Sequence, residues 1–164
     1  MRQSGASRWF GGMVIVSLAA VAAALVSQHR FDMQPCPWCV LQRLILLAIA
    51  LAGGIGWLWR AAPGRKLAGT LVFVLSISGI GAALWQHFQA AASASCNLTL
   101  ADKIVTALKL DSLFPAVFLA TANCADAAVN LFGIPYDFWS LGLFAALALA
   151  ALHLLGRSSH EHRY

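Results

Sequence analysis

Four long apolar stretches constrain what this chain can fold into. They run over residues 9–26, 40–59, 67–87 and 138–155, and each is close to the ~20 residues that a helix needs to cross a bilayer. Arg43 is the one Lys, Arg, Asp or Glu within them. Because lipid offers backbone groups no hydrogen bonds, such stretches form helices or closed barrels, and these lack the alternation of barrel strands. The sequence therefore predicts an all-α membrane protein, an antiparallel bundle of four transmembrane helices.

The remaining segments connect these helices within a single membrane domain of 164 residues. We predict connections at 27–39, 60–66 and 88–137, followed by a tail at 156–164. The first apolar stretch is longer than the 7–15 residues of a signal-peptide core, so we expect it to be retained as a helix. Only 10% of the residues are charged, against about 25% in an ordinary soluble domain, which excludes a water-soluble fold.

The long connection contains a further periodic segment. Leu100, Ile104 and Leu108 recur every four positions, and Asp102, Lys103 and Lys109 mark a polar face. This spacing predicts a short amphipathic helix over 100–110 that lies on the membrane surface. A helix that packs only on protein has the same pattern and remains an alternative.

Lysine and arginine indicate the orientation of the helices. Basic residues concentrate in the two termini and the 60–66 turn, whereas five of the six acidic residues lie in the other two connections. The positive-inside rule therefore predicts cytoplasmic termini and periplasmic connections at 27–39 and 88–137, in a multi-pass protein of a bacterial inner membrane. The net charge of +5 reflects this topology, and since its residues form no basic stripe we expect no binding to nucleic acid.

All four cysteines fall in the predicted periplasmic connections, where disulfides persist. Cys36 and Cys39 form a Cys-Pro-Trp-Cys motif just before the second span, and Cys96 and Cys124 lie in the long connection. Structural disulfides explain the distant pair well, because a long closed loop gains the most from a crosslink. A bridge across two residues constrains little and is typical of a reactive dithiol. A four-cysteine zinc site is a weaker alternative, since zinc usually draws thiolates from two close pairs.

The position of the dithiol indicates its chemistry. Cys39 lies where the second helix begins, and the helix dipole and exposed amide groups favour a thiolate there. Arg43 follows one helical turn later, and a lone arginine inside a span is a functional candidate. It could stabilise the Cys39 thiolate or an electron acceptor, or it could extend to the lipid headgroups. The sequence carries no flavin, haem or nucleotide motif, so a membrane quinone is the simplest acceptor.

Two further residues are candidates for contact with the acceptor. His87 ends the third span on the level of Cys39 and could hydrogen-bond a quinone oxygen or move a proton. Trp38 lies between the two cysteines and could stack on a quinone or anchor at the interface. A haem held by His87 and His29 is an alternative of a different kind.

These motifs together resemble the family of disulfide bond formation protein B (DsbB). The resemblance rests on four spans, the run Cys36–Arg43, the lone Cys96, the run Pro115–Ala120 before Cys124, and the Trp85–His87 run. It covers nearly the whole chain. The Pro37-Trp38 pair departs from the two aliphatic residues that many members carry between the first cysteines.

The resemblance implies a function and residue roles. Cys36 and Cys39 match the pair that ubiquinone or menaquinone oxidises, and Cys96 and Cys124 match the pair that oxidises the periplasmic thiol oxidase DsbA. Cys96 would form the mixed disulfide with DsbA, Cys124 would exchange with Cys36, and Cys39 would contact the quinone. Arg43 and His87 match positions beside the quinone ring. DsbA is a strong oxidant, at about −120 mV, so its reoxidation needs a strong electron acceptor.

Two other functions remain open from the residues. A paralogue that serves one dedicated partner would carry the same motifs. A membrane scaffold with structural disulfides is the alternative outside enzyme chemistry, and its disulfides would resist mild reductant.

Overall fold

Helices make up most of the structure. The computed structural model describes residues 3–59, 61–90, 99–122, 130–131 and 133–160. The long helices are α1 (Gln3–Phe31), α2 (Pro37–Leu58), α3 (Ala62–Trp85) and α7 (Tyr136–His160). Each contains a segment long and apolar enough to cross a membrane. The predicted all-α fold with four membrane helices is confirmed.

Shorter elements connect α3 to α7. They are a π-helical turn (Gln86–Ala90), α4 (Leu100–Ala107), α5 (Leu110–Leu113), α6 (Pro115–Phe118), β1 (Asn130–Leu131) and β2 (Ile134–Pro135). The two strands form a minimal antiparallel pair in which Leu131 lies opposite Ile134. Both cysteines of the long connection, Cys96 and Cys124, lie outside the described residues.

Helix α2 lies at the centre of the bundle. It packs against α1 on one side and α3 on the other, and α3 packs in turn against α7. In the most apolar 18-residue window of α2, 61% of residues are buried, against 22% in α1 and 28% in α7. Large apolar side chains such as Ile15, Leu51 and Leu149 are exposed on the outside, as expected of surfaces that meet lipid tails. The residues of α2 are therefore the ones best shielded from lipid.

A glycine lets α2 approach both of its neighbours. A Cβ atom at Gly56 would lie 2.7 Å from Cε1 of Phe10 on α1 and 2.9 Å from Cβ of Ala68 on α3. Small residues at such points allow membrane helices to pack closely, since van der Waals contact replaces the hydrophobic effect inside lipid.

The first turn of α2 contains the dithiol. Cys36 is the N-cap residue, with its sulfur accepting a hydrogen bond from the backbone N–H of Cys39, and Pro37 begins the helix. Proline suits this place because its missing N–H would have no partner in the first turn. The helix thus begins before residue 40, the predicted start of the span, and includes Cys39.

The connection between α2 and α3 is shorter than the predicted 60–66 turn. Pro63 and Gly64 are residue types that usually break helices, but here they lie in the first turn of α3, which begins at Ala62. Proline is compatible with a first turn, and Gly64 gives room for the ring of Trp59 to pack against the backbone.

The predicted helix at 100–110 is present in two parts. Thr99 and Asp102 form a reciprocal capping box at the start of α4, and Lys109, with a left-handed φ of 53°, separates α4 from α5. Val105 is buried, in a cluster with Val40 of α2 and Phe118 of α6. Helix α4 therefore packs on protein, while Leu100 and Leu108 of the predicted apolar face are exposed.

Candidate active site

The dithiol is held by the start of α2. The Sγ atoms of Cys36 and Cys39 lie 2.7 Å apart, and the backbone N–H of Cys39 donates to the Cys36 sulfur over 3.3 Å. Cys36 is fully buried, whereas Cys39 is partly exposed. Cys39 is the less buried of the two, so it is the thiol better placed to meet an acceptor, while Cys36 can complete the disulfide.

A buried amide connects Cys39 to two other helices. Gln86, only 3% exposed, donates from Nε2 to the Cys39 sulfur over 3.3 Å and to Oδ1 of Asp137 on α7 over 2.5 Å. Its Oε1 accepts from Nε2 of Gln42 over 2.7 Å. Polar groups inside a membrane bundle are costly unless they are paired, so this network fixes α2, α3 and α7 against each other at the dithiol.

His87 reaches the same network through Asp137. Its Nδ1 lies 3.4 Å from Oδ2 of Asp137, and its ring packs on Phe138 with centroids 4.7 Å apart. His87 therefore lies beside the dithiol region, with Gln86 and Asp137 between it and Cys39.

Arg43 lies one turn along α2 from Cys39 and points to other acceptors. Its Nη1 donates to Oε1 of Gln28 over 2.6 Å and to the carbonyl of Val117 over 3.0 Å, and its Nη2 donates to the carbonyl of Ala24 over 3.5 Å. The side chain is 6% exposed. Arg43 is therefore bound within the protein, where it joins α1 to α6, instead of extending to the headgroups.

Trp38 lies between the two cysteines in the sequence. Its side chain is buried and packs near a second tryptophan. Its ring centroid lies 6.3 Å from that of Trp85, at an interplanar angle of 41°. Trp38 is 7% exposed, whereas Trp85 is 54% exposed. A planar ligand that approached from outside the bundle would therefore meet Trp85 before Trp38.

The long connection is attached directly to the residues before Cys36. The backbone N–H groups of Thr121 and Ala122 both donate to the carbonyl of Pro35, over 3.1 Å and 3.3 Å. The Thr121 hydroxyl also donates to Oε1 of Gln34. These are the last described residues before Cys124.

Sequence reasoning assigned no role to three residues of this site. Gln42 and Gln86 appear there only within the motif runs, and Asp137 only for its charge, yet these three residues make hydrogen bonds beside the dithiol. A signal was available, since polar residues in or beside an apolar span mark functional candidates. The described residues contain no group of three or more His, Cys, Asp or Glu side chains that could hold a metal.

Comparison with known proteins gives a consistent result. Residues 6–154 match the family described as disulfide bond formation protein DsbB. The chain is 36% identical over 139 residues to disulfide bond formation protein B 1 of Pseudomonas syringae pv. syringae (strain B728a), covering 82% of this chain and 80% of that protein. It is 30% identical over 155 residues to disulfide bond formation protein B of Dechloromonas aromatica (strain RCB), covering 91% and 92%. It is also 29% identical over 160 residues to the protein of that name from Cupriavidus metallidurans, covering 96% and 98%.

Proposed function

Because the chain belongs to the DsbB family of disulfide bond formation proteins, we propose that it is a quinone-dependent protein thiol:disulfide oxidoreductase. It reoxidises a DsbA-like periplasmic thiol oxidase and thereby generates disulfides de novo. The observation that carries the proposal is the Cys36–Cys39 pair in the first turn of an apolar, membrane-length helix, with sulfurs 2.7 Å apart. A dithiol at that place is near both water-soluble and lipid-soluble reactants.

The oxidation of the dithiol must balance in electrons and protons. When Cys36 and Cys39 form their disulfide, two thiols lose two protons and two electrons. A quinone bound beside Cys39 would supply the acceptor for these two electrons and two protons. The pair can then be reduced again by exchange with another pair of thiols, because a thiolate attacks a disulfide through a mixed disulfide.

The partner side of the reaction uses the long connection. Cys96 forms the mixed disulfide with the DsbA-like partner, and Cys124 exchanges with Cys36. The hydrogen bonds from Thr121 and Ala122 to Pro35 support this proposal. They hold the chain two residues before Cys124 against the residue that precedes Cys36.

The acceptor side uses side chains around Cys39. Arg43, His87 and Trp38 would hold the ring of ubiquinone or menaquinone, in surroundings whose chemistry suits it. Arginine and histidine can donate to quinone oxygens, Cys39 is the less buried cysteine of the pair, and the outer surface of the bundle is apolar. The guanidinium of Arg43 would have to share donors that now bind Val117 and Gln28.

The same proposal includes a location. In a bacterial inner membrane with both termini in the cytoplasm, the dithiol end of the bundle faces the periplasm. A soluble thiol oxidase then meets the long connection from the periplasm, while quinone reaches the dithiol from the lipid.

Quinone consumption tests the proposed function. Purified protein in detergent, given quinone and a reduced DsbA-like partner, should lower quinone absorbance by one quinone for each disulfide formed. Cys36→Ser should abolish this reaction with any reductant. Cys96→Ser is the matched control: it should lose turnover with the protein partner but keep turnover with dithiothreitol, which reduces the first pair directly. Absence of quinone consumption, or full activity in Cys36→Ser, would disprove the proposal.

A further inference from the structure

The hydrogen bonds of Gln86 use every polar group of its amide. Both N–H groups of Nε2 have acceptors, the Cys39 sulfur and the Asp137 carboxylate, and Oε1 has a donor in Gln42. A glutamine amide has two donors on one side and an acceptor on the other. The direction in which Gln86 points its N–H groups therefore determines what the Cys39 sulfur faces.

Asp137 determines that direction. An ionised carboxylate only accepts hydrogen bonds, so Gln86 must turn its nitrogen toward Asp137, and the second N–H of the same nitrogen then faces Cys39. With the amide reversed, its oxygen would face both the carboxylate and the sulfur and its nitrogen would face the donor of Gln42, so all three hydrogen bonds would be lost. The ring nitrogen Nδ1 of His87 lies 3.4 Å from the other oxygen of Asp137, so both oxygens of this carboxyl group face nitrogen atoms that can donate to them.

A donor at this place matters because the reactive form of Cys39 is the thiolate. A negative sulfur in a largely buried site is stabilised by each N–H that points to it. The charged or titratable groups around Cys39 are Cys36 on its own helix, Arg43 one turn along, and Tyr136 and Asp137 at the start of α7, with His87 behind Asp137. Arg43 binds Gln28, Ala24 and Val117, which leaves the Gln86 amide as the side-chain N–H donor that the described structure gives Cys39.

The backbone around Gln86 is also unusual. Gln86 begins a π-helical turn at the end of α3, and such turns are rare and frequent at functional sites. The change from α-helix to π-helix occurs at the residue whose side chain meets the dithiol.

We propose that Gln86 stabilises the Cys39 thiolate through its side-chain N–H, and that Asp137 is the positioning residue that holds Gln86 in this orientation. Gln86 keeps its proton throughout. The electrons and protons of the dithiol go to the acceptor named above, so the relevance to turnover rests on the proposed function, whereas the effect on Cys39 does not.

Alkylation of Cys39 tests this proposal without quinone or partner. The background variant carries Cys96→Ser and Cys124→Ser, so that only the first pair reacts, and it is reduced before treatment with iodoacetamide. Tandem mass spectrometry separates label on Cys39 from label on Cys36. Gln86→Leu should slow labelling of Cys39 about tenfold near pH 7 and leave it within about twofold near pH 10, where any accessible thiol is ionised. A merely structural role would change access at both pH values.

Variants of Asp137 test the positioning role separately and cover the case in which Gln86→Leu fails to fold. Asp137→Asn allows the Gln86 amide to reverse, because asparagine can donate, and should slow labelling near pH 7 about threefold. Asp137→Glu keeps an acceptor-only group and should restore most of the rate. Gln89→Leu, an exposed change of the same kind in the same π-helical turn, is the matched control. Wild-type labelling of Cys39 in both Gln86→Leu and Asp137→Asn would overturn the proposal, even if quinone reduction were observed.

Discussion

Gln42 and Arg43 are adjacent residues of α2, both buried, and they bind different neighbouring elements. Gln42 donates to Gln86 and so belongs to the network that reaches α7. Arg43 binds α1 and the carbonyl of Val117 in α6. Because successive helical residues point about 100° apart, one step along the sequence separates the two contacts. One side of α2 therefore takes part in the hydrogen bonds around the dithiol, and another side binds the long connection.

This difference assigns distinct roles to two polar residues that would look equivalent in sequence. On the Gln42 side, hydrogen bonds converge on the Cys39 sulfur. On the Arg43 side, the guanidinium bonds the carbonyl of Val117, in the segment that leads toward Cys124. If both assignments are right, changes on one side should leave the measurements specific to the other side unaffected.

The largest effect is expected from Arg43→Ala. Loss of three hydrogen bonds from a buried charged group should lower the free energy of unfolding by about 3 kcal/mol. Hydrogen exchange at the amides of Thr121 and Ala122 should accelerate about tenfold, because α6 loses its attachment to α1. The kcat/KM for quinone should fall more than that for the thiol partner. Equal losses for the two substrates would argue that Arg43 acts only in folding.

Arg43→Lys separates charge from geometry. Lysine keeps a positive charge near Cys39 but lacks the planar fork that reaches acceptors on two elements at once. The variant could show fast amide exchange at Thr121 and Ala122 and still reduce quinone at the wild-type rate. Arg43 would then hold the long connection through its geometry and act on the quinone through its charge. Full restoration of slow exchange would contradict the role assigned to the guanidinium.

A smaller effect is expected from Gln42→Leu. The buried Oε1 of Gln86 would lose its donor, which should cost about 2 kcal/mol of unfolding free energy. Reversible unfolding in mixed detergent micelles measures this loss, and Gln89→Leu serves as the exposed control. Exchange at Thr121 and Ala122 should stay at the wild-type rate. Acceleration there, as in Arg43→Ala, would show that the two sides of α2 are not separate.

The sequence predicted the helices better than the contacts between them. The apolar spans and the dithiol at the start of α2 follow from residue type and spacing, because a helix in lipid must satisfy its own backbone. The Gln86 network does not follow, since it depends on which residues of α2, α3 and α7 meet at one level of the bundle. The binding partners of the Arg43 side chain could not be predicted either, because the sequence does not determine where the long connection lies above the membrane.

The helix boundaries were also harder to predict from residue type than the membrane spans. Pro63 and Gly64 are strong helix breakers by composition, yet they lie in the first turn of α3, where a missing N–H costs nothing. The break between α4 and α5 at Lys109, by contrast, contains no proline or glycine that would predict it. There the chain adopts a left-handed φ of 53° at a residue type that rarely does so, so residue type alone does not predict the break.

The smallest effect is expected from Thr99→Ala, which tests how far the connection side is independent of the dithiol. The hydroxyl of Thr99 accepts from the backbone N–H of Asp102 and donates to its carboxylate. Loss of an N-cap costs about 1 kcal/mol, so amide exchange in the first turn of α4 should accelerate about fivefold. Thr106→Ala, a threonine-to-alanine change at an exposed position of the same helix, should leave that first turn unchanged. Alkylation of Cys39 should keep its wild-type rate in both variants, because the contacts of α4 with α2 are apolar and none belongs to the Gln86 network. Val105 packs on Val40, and Ala101 lies in the core cluster that contains Cys36 and Trp38. A slower Cys39 in Thr99→Ala alone would mean that the connection helps to shape the dithiol, and the division between the two sides of α2 would fail.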